Sequence, residues 1–174
     1  MDVAFGKQQL ISWLDDAHAM ETGLVSILQN HASHLDSGFP DAAARVRRHI
    51  EETRTHAVRV QQCLSLLGST PSSVKSTLSS LIGVVEGAST VMFRDHVVKD
   101  VLADYASEQF EVGCYAALVS VASALGHDEV ARLCQQNLDE DLEMGTWLLE
   151  RIPAVAKADV ARGVIVETLR GTDS

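Results

Sequence analysis

The chain has 174 residues, of which 46% are hydrophobic, and its formal net charge is −10 at pH 7. That length suits one domain with a buried core, and the hydrophobic content is too high for a disordered chain. The acidic charge argues against direct nucleic-acid or anionic membrane partners, and no apolar run approaches the ~18 residues of a membrane span, so we expect a cytoplasmic protein.

Apolar residues recur with a helical period of 3.6 along the chain, which contains only three prolines, so we expect an all-α protein. The turn signals are DSGFPD at 36–41, Gly68, Gly126 and Pro153. The predicted helices in chain order are 7–34, 41–67, a short apolar helix over 81–88, 95–125, 128–152, and a short C-terminal helix over 154–169.

The lengths of the connections predict the topology. Short loops join the first long helix to the second and the third to the fourth, so each pair should form an antiparallel hairpin. About 27 residues, beginning with the Ser-rich stretch after Gly68, link the two hairpins, enough to cross the length of a bundle. We therefore predict a single ferritin-like domain over 1–174, a four-helix bundle with one long crossover and a short C-terminal helix.

Polar residues interrupt the apolar stripe near the middle of each long helix. In chain order they are Glu21; His49, Glu52 and His56; Glu108 and Glu111; and Glu140 and Glu143. Antiparallel packing would bring them to one level of the core, where the stripes offer no Lys or Arg. Because burying unpaired carboxylates costs several kcal/mol each, we predict that metal ions neutralise them. Glu and His are suitable ligands for iron and manganese, which predicts two transition-metal ions bound between the helices.

Each of these residues also has a simpler explanation. A single buried Glu or His can be a hydrogen-bonded core residue, and the acids at the edge of a stripe can face solvent. We interpret Glu51, Asp139 and Asp141 as solvated helix charges of that kind. The agreement of four helices is what favours a metal site, either a present one or a vestige.

Several other residue types receive an interpretation from the pattern. Tyr115 is either a core aromatic or a donor of a proton or an electron to the site. The three cysteines lie on apolar helical faces without CxxC spacing and are expected to be reduced, buried thiols. The remaining histidines are expected at the surface or at helix ends: His18, His31, His34, His96 and His127.

Four segments resemble the YciE/YciF-type ferritin-like stress proteins of bacteria. They are LDDAHAMETGL (14–24), HIEETRTHAVRV (49–60), SEQFEVGCYAAL (107–118) and LGHDEVARLCQQNLDEDLE (125–143). The resemblance covers nearly the whole chain, with the segments in the family's order and spacing.

The resemblance implies a rubrerythrin- or bacterioferritin-like di-metal centre in a homodimer or larger homo-oligomer. Carried over by position, it implies as ligands Glu21, His49, Glu52, Glu108, Glu111 and Glu140. The sequence departs from the family at Gln109, where a His is usual. It also departs from the Glu-x-x-His ligand pair of ferritins, because Thr55 follows Glu52 and Glu143 follows Glu140 at that spacing. Either His49 or His56 would then supply the imidazole.

Two functions are consistent with these observations. The first is a redox-active di-iron or di-manganese protein that acts on peroxide or ferrous iron under stress, as a peroxidase, a catalase-like enzyme or a ferroxidase. The second is a non-catalytic stress or scaffold protein that keeps the bundle but has a degenerate metal site. Tightly bound metal in the purified protein distinguishes them.

Overall fold

The computed structural model describes residues 3–36, 38–72 and 96–171. Four α-helices occupy these ranges: α1 Val3–Leu35, α2 Pro40–Leu66, α3 His96–Ala124 and α4 Asp128–Gly171. The described residues contain no strand, so the predicted all-α class is confirmed. The short helix predicted over 81–88 lies outside the described residues.

The four helices form a bundle in which each helix packs against two antiparallel neighbours. α1 packs against α2 and α3, and α4 packs against the same two helices. Near the end of α1, His34 Nδ1 lies 2.6 Å from Asp100 Oδ2 near the start of α3. α3 therefore begins at the end of the bundle where α2 begins, and the chain between Ser72 and His96 joins opposite ends. This is the ferritin-like arrangement with a long crossover, as predicted.

The two ends of α4 differ in how well the sequence predicted them. Gly126 ends α3 with a φ of 75°, a left-handed conformation that glycine adopts without strain, and His127 N–H donates to the Ala122 carbonyl at 2.9 Å. The predicted break at Pro153 is wrong, because α4 continues through it as one helix to Gly171. Proline removes a single helical hydrogen bond, and the turns on either side of it keep theirs.

Two apolar clusters fill the bundle on either side of its middle. One includes Leu10, Leu14, Cys63, Leu64, Leu118 and Ala122. The other includes Leu28, Leu35, Val46, Ile50, Met144 and Leu148. They leave between them a level at which all four helices bury polar side chains. Among the described residues no helix is long and apolar enough to cross a membrane.

Candidate metal centre

The polar level between the apolar clusters is built from acids, histidines and one tyrosine. The buried members are Glu21 from α1, His49 and His56 from α2, Glu108, Glu111 and Tyr115 from α3, and Asn137 and Asp141 from α4. Helical spacing places them there: on α3, for example, Glu108, Glu111 and Tyr115 continue the buried face between Val101 and Leu118. The polar residues thus occupy core positions.

Two groups of three ligands form at this level and share one residue. The first is Glu21, His56 and Asp141, and the second is His49, Glu108 and Asp141. In each group one ligand atom per residue lies within 4.8 Å of the other two. Asp141 is the carboxylate that the two groups share, so it would contribute to holding a metal ion in either of them. On α4, Gly145 leaves room for the side chain of Gln109, because a Cβ there would lie 2.7 Å from Gln109 Nε2; its distance of 3.4 Å from the Glu108 Cβ would be an ordinary contact.

Atoms of the two groups lack hydrogen-bond partners although they are fully buried. They are Glu21 Oε2, His56 Nδ1, Glu108 Oε2, and both carboxylate oxygens of Asp141. A buried polar atom without a partner costs about 1–3 kcal/mol, and a buried charge costs more. Such atoms converge on one place and could coordinate a cation there.

The two histidines each have one nitrogen toward the centre and one toward an outer glutamate. His49 Nε2 lies 2.8 Å from Glu108 Oε1, and its Nδ1 lies 2.9 Å from Glu52 Oε2. His56 Nδ1 lies 3.4 Å from Asp141 Oδ1, and its Nε2 lies 2.9 Å from Glu140 Oε2.

Arginines hold both outer glutamates. Arg45 Nη1 donates to Glu52 at 3.0 Å, and Arg59 donates to both oxygens of Glu140 at 2.9 Å. The expectation that no arginine lies at this level is therefore wrong for Arg45 and Arg59. Their long side chains reach the level from positions flanking the stripe.

The pKa values report an excess of negative charge in the metal-free centre. The pKa of Asp141 is raised to about 8, because burial together with the charges of Glu21 and Glu108 outweighs the opposing effect of His56 and His49. Burial lowers the pKa of His49, but the neighbouring Glu108 and Glu52 outweigh it and raise that pKa to about 10. The histidines are thus protonated counter-ions at neutral pH when no metal neutralises the acids.

Glu111 and Tyr115 complete the buried level. Burial raises the pKa of Glu111 well above its usual value, and the charges of Glu21, Glu108 and Asp141 add to this. The Tyr115 hydroxyl donates to Glu21 Oε1, and the tyrosine is fully buried. Tyr115 is therefore in contact with one of the residues that could hold a metal.

The structure places the predicted site residues at different depths. Glu21, His49, His56 and Glu108 lie in the two ligand groups. Glu52 and Glu140 are partly exposed, with 27% and 34% of their side chains accessible, and lie in neither group. Glu143 is exposed, because the buried face of α4 passes through Asp141 and Met144.

Two sequence interpretations are corrected by burial. Asp141, expected to be solvated, is fully buried at the centre. The spacing of Asn137, Asp141 and Met144 along the apolar face of α4 could have identified it. His31, expected at the surface or at a helix end, lies near the C-terminal end of α1 but is only 6% exposed, and its Nδ1 lies 2.6 Å from Asp104 Oδ1.

Comparisons with known proteins agree with this fold. A family model described as "Domain of unknown function (DUF892)" matches residues 7–161. A crystal structure from Xanthomonas campestris is 32% identical, with a TM-score of 0.77, and the match covers 91% of this chain and 97% of that one.

Two further solved structures share the fold at lower identity. The Escherichia coli stress protein YciF is 18% identical, with a TM-score of 0.75 and coverage of 87% of this chain and 97% of that one. The bacterioferritin of Desulfovibrio desulfuricans, whose structure is described with a di-iron site, is 20% identical. Its TM-score is 0.69, and the match covers 91% of each chain. These likenesses confirm the predicted ferritin-like fold.

Proposed function

The chain belongs to the DUF892 family, and we propose that it is a di-metal carboxylate protein that binds two transition-metal ions, iron or manganese. One ion would be held by Glu21, His56 and Asp141, and the other by His49, Glu108 and Asp141. The observation that carries the proposal is the sharing of Asp141 between two buried ligand groups. Oxygen and imidazole ligands of this kind suit iron and manganese.

The balance of charge supports two divalent ions. Four acids are buried around the centre: Glu21, Glu108, Glu111 and Asp141. Two divalent cations would neutralise these four carboxylates and leave the two histidines uncharged. The two outer glutamates need no metal, because an arginine is paired with each. Inside the bundle this neutrality matters, since an uncompensated buried charge costs several kcal/mol.

We propose peroxide or ferrous iron as the substrate. Two redox-active ions held together would supply paired electron transfer when bound. The chain itself would exclude bulk water, because Glu21, His56, Glu108 and Asp141 are at most 1% exposed. Tyr115 would hold a transferable proton at its hydroxyl, in hydrogen-bond contact with Glu21. The comparison with bacterioferritin supports this class of chemistry through the fold alone.

The test is elemental analysis of protein purified from cells grown with added iron or manganese. We expect about two metal ions per chain, and the metal present then decides whether peroxide reduction or ferrous oxidation is assayed first. Glu108→Ala should lose metal with its helical content largely retained, whereas Glu143→Ala, an exposed position on α4, should keep it. Undiminished metal in Glu108→Ala, or no metal in the parent protein, would overturn the proposal.

A metal-free scaffold is the second candidate, and one observation favours it. His49 Nε2 and Glu108 Oε1 form an ion pair of 2.8 Å, which gives one oxygen of Glu108 a charged partner without a metal ion. Under this alternative the histidines would remain protonated and the bundle would act only by assembling with partners or copies. Its signature would be a melting temperature that does not respond to iron, manganese or a chelator.

A further inference from the structure

Two chains of hydrogen-bonded side chains run inward from the edge of the centre. In the first, Arg45 donates to Glu52 Oε2, and the same oxygen lies 2.9 Å from His49 Nδ1. In the second, Arg59 donates to Glu140 Oε2, which lies 2.9 Å from His56 Nε2. Each chain thus has the order arginine, glutamate, histidine.

From these chains we infer that Glu52 and Glu140 are positioning residues and not metal ligands. Each glutamate fixes the proton on the outer nitrogen of its histidine, so that the other nitrogen faces the centre. The inference rests on the proposed function and assigns to two acids a role that their sequence positions did not suggest. In this arrangement Arg45 holds Glu52 in place and Arg59 holds Glu140 in place.

The geometry of Glu140 leaves it little capacity to coordinate. Both of its oxygens accept hydrogen bonds from Arg59, and one of them also pairs with His56 Nε2. Arg59 is itself fixed, since its Nη1 donates to the buried Asn137 Oδ1 at 2.9 Å. A bidentate arginine pair of this kind is strong and directional, so turning Glu140 inward would break several charged hydrogen bonds.

Glu52 shows the same pattern with a different arginine. Its Oε2 atom is shared by Arg45 and His49, and Arg45 is only 5% exposed. Arg45 holds this carboxylate from its other side, so Glu52 can accept a hydrogen bond from the outer N–H of His49 and keep that ring in one tautomer.

The two histidines would therefore bind metal through different nitrogens. His49 offers Nε2 toward Glu108, and His56 offers Nδ1 toward Glu21 and Asp141. This explains how the chain dispenses with the Glu-x-x-His pair. His49 and His56 are seven residues, or about two turns, apart on one face of α2, and each serves a different ligand group.

The experiment compares Glu52→Gln and Glu140→Gln with two matched controls, Glu51→Gln and Glu143→Gln. The controls change exposed glutamates on the same helices and within three residues of the tested positions. Zn²⁺ is the probe, because it is diamagnetic and does not change oxidation state. Equilibrium dialysis with elemental analysis gives stoichiometry and affinity, and NMR of ¹⁵N-labelled histidine in the loaded protein reports which nitrogen binds metal.

We expect two Zn²⁺ per chain at saturation in every one of these proteins, with affinity reduced about 10- to 100-fold in Glu52→Gln and Glu140→Gln only. In the parent protein, His49 should bind through Nε2 and His56 through Nδ1, and each test variant should disturb the outer N–H signal of its own histidine. A general loss of stability would not move these signals selectively.

The outcomes distinguish the positioning role from the proposed function. If Glu52→Gln or Glu140→Gln loses one Zn²⁺ at saturation, that glutamate is a ligand and the positioning role is wrong, while the di-metal proposal stands. The positioning role is equally wrong if either histidine binds through the nitrogen that faces its outer glutamate. If the parent protein binds no Zn²⁺, iron or manganese, the proposed function fails and the positioning role fails with it.

Discussion

Asp141→Asn tests the centre most directly, because Asp141 belongs to both ligand groups. Asparagine has nearly the size and polarity of a protonated aspartic acid but carries no charge. We expect Asp141→Asn to make the metal-free protein more stable at neutral pH. The reason is that Asp141 is fully buried and neither of its oxygens has a hydrogen-bond partner.

The size of this effect follows from the pKa of Asp141. That pKa is raised from 3.8 to about 8, with burial as the largest cause, so at pH 7 the folded state must hold a proton that the unfolded state has released. At about 1.4 kcal/mol per pH unit, the interval from 3.8 to 7 corresponds to roughly 4 kcal/mol of lost stability. The loss is absent below about pH 4, grows as the pH rises and is complete above about pH 8.

Metal should reverse the ranking of the two proteins. A ligand at 100 times its dissociation constant stabilises the folded state by about 2.7 kcal/mol per site, so two sites should stabilise the parent protein by about 5 kcal/mol. Asp141→Asn should gain little from metal. The assay is urea unfolding at pH 5 and pH 7, each with a chelator and with excess Mn²⁺.

Asp139→Asn is the matched control, since Asp139 is exposed two residues earlier on α4. It should leave both the metal-free stability and the response to Mn²⁺ unchanged. The role assigned to Asp141 is refuted if Asp141→Asn is less stable than the parent protein in chelator at pH 7. It is also refuted if that variant gains as much stability from Mn²⁺ as the parent does.

Three further outcomes are expected from other parts of the bundle. Tyr115→Phe should keep the metal stoichiometry but lower turnover of peroxide or ferrous iron at least ~10-fold, as loss of a proton donor does; unchanged turnover would mean that Tyr115 is only a core residue. His31→Ala should destabilise the protein by about 3 kcal/mol, because it leaves the buried Asp104 without this imidazole. The side chain of His34 is 38% exposed, so His34→Ala should cost less than ~1 kcal/mol. Equal costs in urea unfolding would contradict that difference. Gly126→Ala should cost about 1 kcal/mol in the same assay, since φ there is 75°, and a neutral result would show that the turn adapts.

How far the sequence predicted the candidate centre is clearest on α3 and α4. On α3 the buried face passes through both glutamates, so their helical period identified Glu108 and Glu111 as buried. On α4 the same reasoning favoured Glu140 and missed the buried Asp141, its neighbour. Adjacent residues on a helix differ by about 100° in direction, and periodicity alone did not resolve which of the two acids faces the core.

The arginines show a second limit of sequence reasoning. Arg45 and Arg59 lie on the flanks of the apolar stripe of α2, where charged residues are ordinarily solvated. Arg45 reaches Glu52 two turns further along α2 itself, whereas Arg59 reaches Glu140 only because α2 and α4 pack against each other at this level. The pairing of Glu140 with an arginine is therefore a property of the packed bundle.

The sequence by itself determined the long helices, apart from the continuation of α4 through Pro153, as well as their antiparallel pairing and the level at which polar residues enter the core. Those features follow from local periodicity, from turn residues and from the lengths of connections. The tertiary structure alone decided that Asp141 is shared by two ligand groups, and that His49 and His56 present different nitrogens to the centre. The physical reason is that coordination depends on distances between side chains on different helices, and those distances are fixed only when the four helices pack together.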